Sequence, residues 1–380
     1  MYLGVKSSVV TGLLIVFALT ASDTFAVDSK NDRHEYVVDA DWPQLPLPNN
    51  WVIGEVGGIW VDEQDHVWIV HRPSTLVSYE LGAAATPPRS VCCVAAPPVI
   101  EFDPSGKIVR AWGGPGEGYD WPSTEHGITV DHKGNVWIGG SATRQRNDGA
   151  PADGMVLKFT RDGKFLLQIG HAGPSKGSLD TTQLSGAADI YVDPTENEAY
   201  IADGYGNHRV IVFDADSGKF KRMWGAYGKP PTDNAVSRDG PRDERPQQFR
   251  NVHCVEVARD GFVYVCDRDN NRMQIFEKDG TFVAEHFYLR DTQGAGTVGN
   301  ISLWPDRDQS IIAIADIGNF LIRLVDRDNG DIITTFGHYG SYAGQMNRLH
   351  QAAFDSHGNL FTSEAAGKRV QKFVHRGARP

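Results

Sequence analysis

Basic charge is in short supply in this chain. Lysine and arginine total 37 against 48 aspartates and glutamates, a formal net charge of −11, and no long basic run occurs. That balance speaks against nucleic acid and anionic membrane as partners. A sustained helical period is missing as well, which sets helical bundles aside. Long apolar runs are absent with one exception, Val9 to Leu19, which is short for a membrane span. Lys6 is the only charge ahead of that run, and Thr24-Phe25-Ala26 offers a small-x-Ala cleavage site. Residues 1–26 therefore read as a signal peptide, with a retained anchor as the other reading. The mature chain would begin near Val27 and be secreted or periplasmic, off the membrane once cleaved. Cysteine is scarce too, and four residues fit an oxidising compartment. Cys254 and Cys266 flank the turn from Ala258 to Gly261 and would lie nearly opposite in a hairpin. For the adjacent Cys92 and Cys93, three outcomes stay open: a vicinal bond, pairing elsewhere, or free thiols.

What the chain has instead is alternation. Val263-Tyr264-Val265 and Val210-Ile211-Val212-Phe213 mark strands, and Asp162-Gly163, Asp260-Gly261 and Asp279-Gly280 mark the turns that join them. One unit recurs: an apolar strand, a turn with Asp and usually Gly, a second apolar strand, a third led by Arg or Leu, and a fourth often ending in Gly. Its clearest copies run from Ala187 to Gly225 and from His253 to His286; others start near Gly57, His126, Asn300 and His350. Six four-stranded copies of this size predict an all-β fold, a six-bladed β-propeller over residues 57–380. Residues 27–56 precede it. The last copy has only three strands after His350, so a strand near Glu35 to Val38 would complete it and fasten the termini together. Three stretches exceed the repeat: Pro73 to Pro97, Ala142 to Asp153 and Ala226 to Gln248. They read as surface loops, some near the mouth of the channel.

Three histidines then stand out. His126 opens HGITVD, His253 opens HCVEVA and His350 opens HQAAFD, each five residues before the next turn at Asp131, Ala258 and Asp355. They fall in alternate copies, so a closed ring relates them by a three-fold axis and brings three imidazoles together. That is a tris-imidazole metal site with an open position in the central channel. The matching positions elsewhere are small, Gly57, Ala188 and Gly299 or Asn300, which lets backbone carbonyls approach the axis in a manner suited to a hard cation such as calcium. Arg72, Tyr205 and Arg268 follow the ends of second strands. An arginine fork binds carboxylate, and a phenol beside a cation gives up its proton more readily, so these three are the candidate catalytic residues. Arg209, Arg272, Arg323 and Arg369 recur at the start of third strands and read as structural partners of the blade acids, among them Asp203, Asp267 and Asp316. His132, His208, His338 and His357 share no register with the trio and are not assigned to metal.

Those residues bring a family with them. Segments VWIVHR, HGITVDHKGNVW, ADGYGNHRVIVF, VHCVEVARDGFVYVCDRDNNRMQIF and LHQAAFDSHGNLF resemble the lyase domain of the peptidylglycine alpha-amidating enzymes, within the NHL-repeat propellers. The resemblance covers about Gly57 to Phe373. It implies a catalytic zinc on His126, His253 and His350, a catalytic tyrosine at Tyr205, and arginines at Arg72 and Arg268. It also implies a structural calcium held in part by the backbone of Ile128. The family's aspartate after the third histidine is here Gln351, however, and Gly206 stands where a family cysteine would be. The implied reaction splits the C–N bond of a peptidyl-α-hydroxyglycine, giving an amide and glyoxylate. The partner would be a small-molecule or peptide substrate bearing a carboxylate. Two other functions fit the same propeller: another metal-dependent enzyme, such as a lactone or ester hydrolase, and a non-catalytic binding propeller.

Overall fold

The computed structural model describes residue 1, residues 34–234 and residues 245–377. The expected signal peptide therefore lies almost wholly outside the described residues, as does part of the Ala226–Gln248 stretch. Among the described residues there is no α-helix; strands and short 3-10 turns make up the regular structure.

Six antiparallel four-stranded sheets follow one another along the chain. Their innermost strands are Glu55–Val61, Glu125–Val130, Ala187–Asp193, Val252–Val257, Asn300–Leu303 and Leu349–Phe354. Each packs beside the next, and the last packs against the first, so the ring closes as a six-bladed propeller. Blade one opens at Glu55, two residues before the sequence repeat suggests. Blade six is built from both ends of the chain. Tyr36–Asp39 pairs antiparallel with Arg369–His375, Tyr36 facing His375 and Asp39 facing Lys372.

The alternation in the sequence has its physical cause in the faces between blades. Residues of one strand point to opposite sides of its sheet, and both sides are covered by a neighbouring blade. Tyr200, Val210 and Val212 of blade three pack with Val255, Val263 and Phe276 of blade four, while Ile201 and Ile211 pack the other way, against Trp137 and Val156 of blade two. Two devices recur. In the first, an aspartate after the inner strand gathers the turn: Asp62 accepts Trp68 Nε1 at 2.9 Å and Asp131 accepts Trp137 Nε1 at 3.0 Å, so both buried indoles keep a partner. In the second, an acid ending the second strand holds an arginine of the third, its first residue in blades three, four and six and, against the expectation, its third in blade five, where the strand opens at Leu321. The pairs are Asp203–Arg209, Asp267–Arg272, Asp316–Arg323 and Glu364–Arg369.

Two details depart from the plain repeat. Pro73 to Pro97 is more than a loop, because Val94–Ala95 within it pairs in parallel with Trp51–Val52 ahead of blade one. The cysteines resolve as two bridges: Cys254 and Cys266 sit directly opposite across a strand pair, and Cys92 bonds to Cys93.

Candidate metal centre

All three histidines reach one point of the channel from blades two, four and six. His126 and His253 are fully buried and His350 is 6% exposed. Their ring centroids are 5.0 Å apart for His126–His253, 4.6 Å for His126–His350 and 5.3 Å for His253–His350. One ring nitrogen from each lies within 4.8 Å of the others, a spacing that can hold a metal ion.

Blades three and five take part through their backbones. His126 Nδ1 donates to the carbonyl of Ala188 at 2.6 Å, and His253 Nδ1 donates to that of Gly299 at 2.6 Å. Each bond fixes the tautomer and leaves Nε2 with its lone pair turned inward. Burial, aided by Arg72, Arg268 and the neighbouring imidazoles, holds all three histidines well below the usual histidine range. They are neutral near pH 7, the form that ligates metal. His350 Nδ1 is buried and has no hydrogen-bond partner among the described residues, so it lacks the brace the other two have.

The inner strands reach this point by a bulge. It falls at Gly57, Ala188, His253 and His350 in blades one, three, four and six, but one residue later in blade two, at Gly127. Gly127 has φ +57°, and a Cβ there would lie 2.6 Å from the Ala188 carbonyl oxygen. Only glycine fits that backbone and that approach. The three histidines thus share a distance from the turn without sharing a bulge, which counting residues does not reveal.

The candidate catalytic side chains collect beside the trio. Tyr205 Oη lies 2.9 Å from Nε2 of both His126 and His253. Arg268 Nη1 donates to Tyr205 Oη at 3.4 Å, with its guanidinium 5.5 Å from the ring centre. Arg268 is held in turn by Asp269 at 2.9 Å. Arg72 donates to the Glu125 carbonyl at 2.8 Å and pairs with Glu55 at 3.0 Å, and its charge acts on all three imidazoles. Sequence reasoning missed Glu55, Asp269 and the two carbonyl braces. The carboxylates had a signal, their place next to the arginines in a turn or a facing strand; the carbonyls had none.

The expected calcium ligands fare differently. The carbonyls of Ala188 and Gly299 are taken up by histidines. Gln351 Oε1 accepts the Ile59 N–H at 3.0 Å, and its Nε2, a donor, cannot ligate a cation. The side chain at the position of the family aspartate is therefore a neutral, already bonded amide, a weaker calcium ligand than a carboxylate, and Ile128, whose side chain is buried between blades one and two, stands without that carboxylate partner. His338 and His357 lie at the surface, beside Gln345 and Asp65. A second acidic group, Asp62, His66 and Glu101, already surrounds Arg161, which is 2.7 Å from Asp62, and reads as an interblade pin rather than a metal site.

Comparison with known proteins finds the same repeat and the same propeller. The NHL repeat family matches residues 249–276. The chain is 26% identical over 351 residues to peptidyl-glycine alpha-amidating monooxygenase A of Xenopus laevis, covering 88% of this chain and 33% of that protein. It is 25% identical over 367 residues to peptidyl-alpha-hydroxyglycine alpha-amidating lyase 1 of Drosophila melanogaster, covering 90% of this chain and 60% of that one. It is also 29% identical over 288 residues to NHL repeat-containing protein 3 of Mus musculus, covering 73% of each. The chain thus spans about a third of the length of the Xenopus protein. Among solved structures, virginiamycin B lyase from Staphylococcus aureus superposes with a TM-score of 0.51 at 16% identity, covering 91% of this chain and 88% of that chain. That likeness shows the propeller. The chain resembles the amidating lyases in sequence, at low identity.

Proposed function

We propose that this protein is a zinc-dependent lyase that splits a peptidyl-α-hydroxyglycine, or a carbinolamide like it, into an amide and glyoxylate. One observation carries the reading: a tyrosine hydroxyl poised 2.9 Å from two neutral, tautomer-fixed imidazoles with an arginine behind it. Several of the relatives found by sequence bear the name of this chemistry.

The donor set fits zinc: three neutral imidazoles, two braced through Nδ1 and all withdrawn from water. A zinc ion held there supplies a Lewis acid for the substrate's hydroxyl oxygen. Tyr205 is the base that takes the proton from that hydroxyl. Arg268 donates to Tyr205 Oη and holds it in position for that role, and Asp269 keeps its guanidinium in place. As the C–O bond gains double-bond character the C–N bond breaks, and the proton lost from oxygen ends on the departing amide nitrogen. Arg72, which ends the second strand of blade one, is fixed by Glu55 and the Glu125 carbonyl and takes the carboxylate that leaves as glyoxylate. Export to a secreted or periplasmic location belongs to the same proposal, and N-terminal sequencing of the natural protein tests it.

The functional test is glyoxylate release from α-hydroxyhippurate by purified protein, with and without chelator, beside a Tyr205→Phe variant. Loss of the general base should lower turnover on the order of 100- to 10,000-fold while zinc content stays the same. Turnover unchanged in the variant removes the base role. Activity on a lactone panel without any glyoxylate release moves the assignment to a metal-dependent hydrolase on the same ring.

A further inference from the structure

More positive charge frames the histidine end of the channel than the reaction uses. Arg72 and Arg268 each carry a carboxylate partner. Arg144, in the blade-two insertion, and Arg348, two residues before His350, are exposed. Neither side chain has an ion pair or hydrogen bond among the described residues. The whole chain carries −11, so two uncommitted arginines at this end stand against an acidic background, and such cations draw anions.

Arg144 opens onto a cleft of about 550 Å³ lined by Thr124, Ser141, Thr143, Arg144, Arg146 and Asp148 among others, the last being paired with Arg146. The cleft adjoins the site on two sides. Thr124 lies two residues before His126. A methyl group on Gly186 would meet Tyr205 Cβ at 2.7 Å and Thr143 Cγ2 at 3.1 Å, so Thr143 and Tyr205 flank the same glycine. The walls are also pinned. The buried Asp153 carboxylate accepts the backbone N–H groups of Ser123 at 2.7 Å, Thr124 at 3.1 Å and Ala142 at 2.9 Å. Arg146 is tied to the Ser123 carbonyl, to Thr124 Oγ1 at 3.2 Å and to Asp148 at 2.9 Å. Arg144 is therefore the one uncommitted cation lining this cleft.

We propose that the cleft is a second anion subsite, and that it selects hydroxyglycine substrates whose preceding residue carries an acidic side chain. Arg72 receives the carboxylate at the reacting end, and the guanidinium fork of Arg144 receives the second one. This assignment rests on the lyase reading and names its substrate class.

The experiment compares acetyl-Glu-α-hydroxyglycine with acetyl-Gln-α-hydroxyglycine, two substrates alike in shape and different by one charge. The wild-type protein should favour the acidic substrate in kcat/KM by about five-fold at low salt, with the preference shrinking as ionic strength rises. Arg144→Glu should bring the ratio to one or below; a thermal melt confirms that this surface variant is folded. A wild-type ratio of one, or a ratio that survives Arg144→Glu, overturns the subsite while leaving the lyase reading intact. Calorimetric binding of the products acetyl-Glu-amide and acetyl-Gln-amide covers the other case. An Arg144-dependent preference there, with no glyoxylate from either substrate, upholds the subsite and sinks the lyase reading instead. Equal binding with no turnover sinks both.

Discussion

Replacing Gly127 with alanine should damage the metal centre without touching a ligand. The backbone there has φ +57°, which costs a non-glycine residue about 1–2 kcal/mol. The added Cβ also lands 2.6 Å from the Ala188 carbonyl oxygen and 3.1 Å from Asp189 Cα, both backbone atoms that cannot swing aside. Overpacking of this kind adds roughly 1–3 kcal/mol, so the expected loss of stability is on the order of 2–5 kcal/mol. The site suffers through the same oxygen, because Ala188 O is the acceptor that fixes the His126 tautomer. Losing a brace of that kind costs about 10- to 100-fold in metal affinity. Gly134→Ala is the control: its φ is +77°, and nothing lies within 4 Å of the new methyl group. Denaturant midpoints and zinc competition against a chromophoric chelator, measured on both variants, decide the matter. If Gly127→Ala costs no more stability than Gly134→Ala and keeps its zinc affinity, the coupling between bulge and site is wrong.

The unbraced histidine leads to a second expectation: His350→Ala should lose about 10-fold less zinc affinity than His253→Ala, whose ligand is held by Gly299; equal losses in the same competition assay would refute this. His71 gives a pH dependence. It accepts the Gly54 N–H through Nδ1, and burial lowers it to about 4. Because the folded value lies below the unfolded 6.5, its contribution is complete above pH 6.5 and is lost as pH falls from 6.5 towards 4, by about 3 kcal/mol. Urea midpoints across that window should fall less steeply for His71→Asn than for the wild type. In blade four, Arg272→Ala leaves Asp267 and Glu285 without their buried counter-charge and should cost about 3–5 kcal/mol in urea unfolding, whereas Arg222→Ala, at a part-exposed pair, should cost less.

Much of this molecule is legible before folding because it repeats. Six copies of one pattern give the blades, and the Asp–Arg spacing gives the ties inside them; each signal is local and recurs. The histidine trio is legible for the same reason, since equal distance from a turn survives in the sequence. Legibility stops where backbone meets backbone across blades. Nothing in the letters says that the carbonyls of Ala188 and Gly299 serve imidazoles rather than a cation, or that blade two places its bulge one residue late at Gly127. The Val94–Ala95 strand was hidden for a related reason: two residues are too few to show a period, and its partner Trp51–Val52 lies outside the repeat. Arg144 is one charge among several in a polar loop until the fold sets its neighbour Thr143 against the same glycine as Tyr205.

Blade six takes its outer strand from the beginning of the described chain and its other three from the end, and it also carries His350. Sealing the ring therefore steadies the same blade that delivers the third imidazole. A ring still open at that seam holds its third imidazole on an unfastened blade, and a loosely placed ligand grips a metal less well. Metal uptake at the trio should then follow closure of the ring, and a cut near either end of the described chain should weaken a site that lies at its middle.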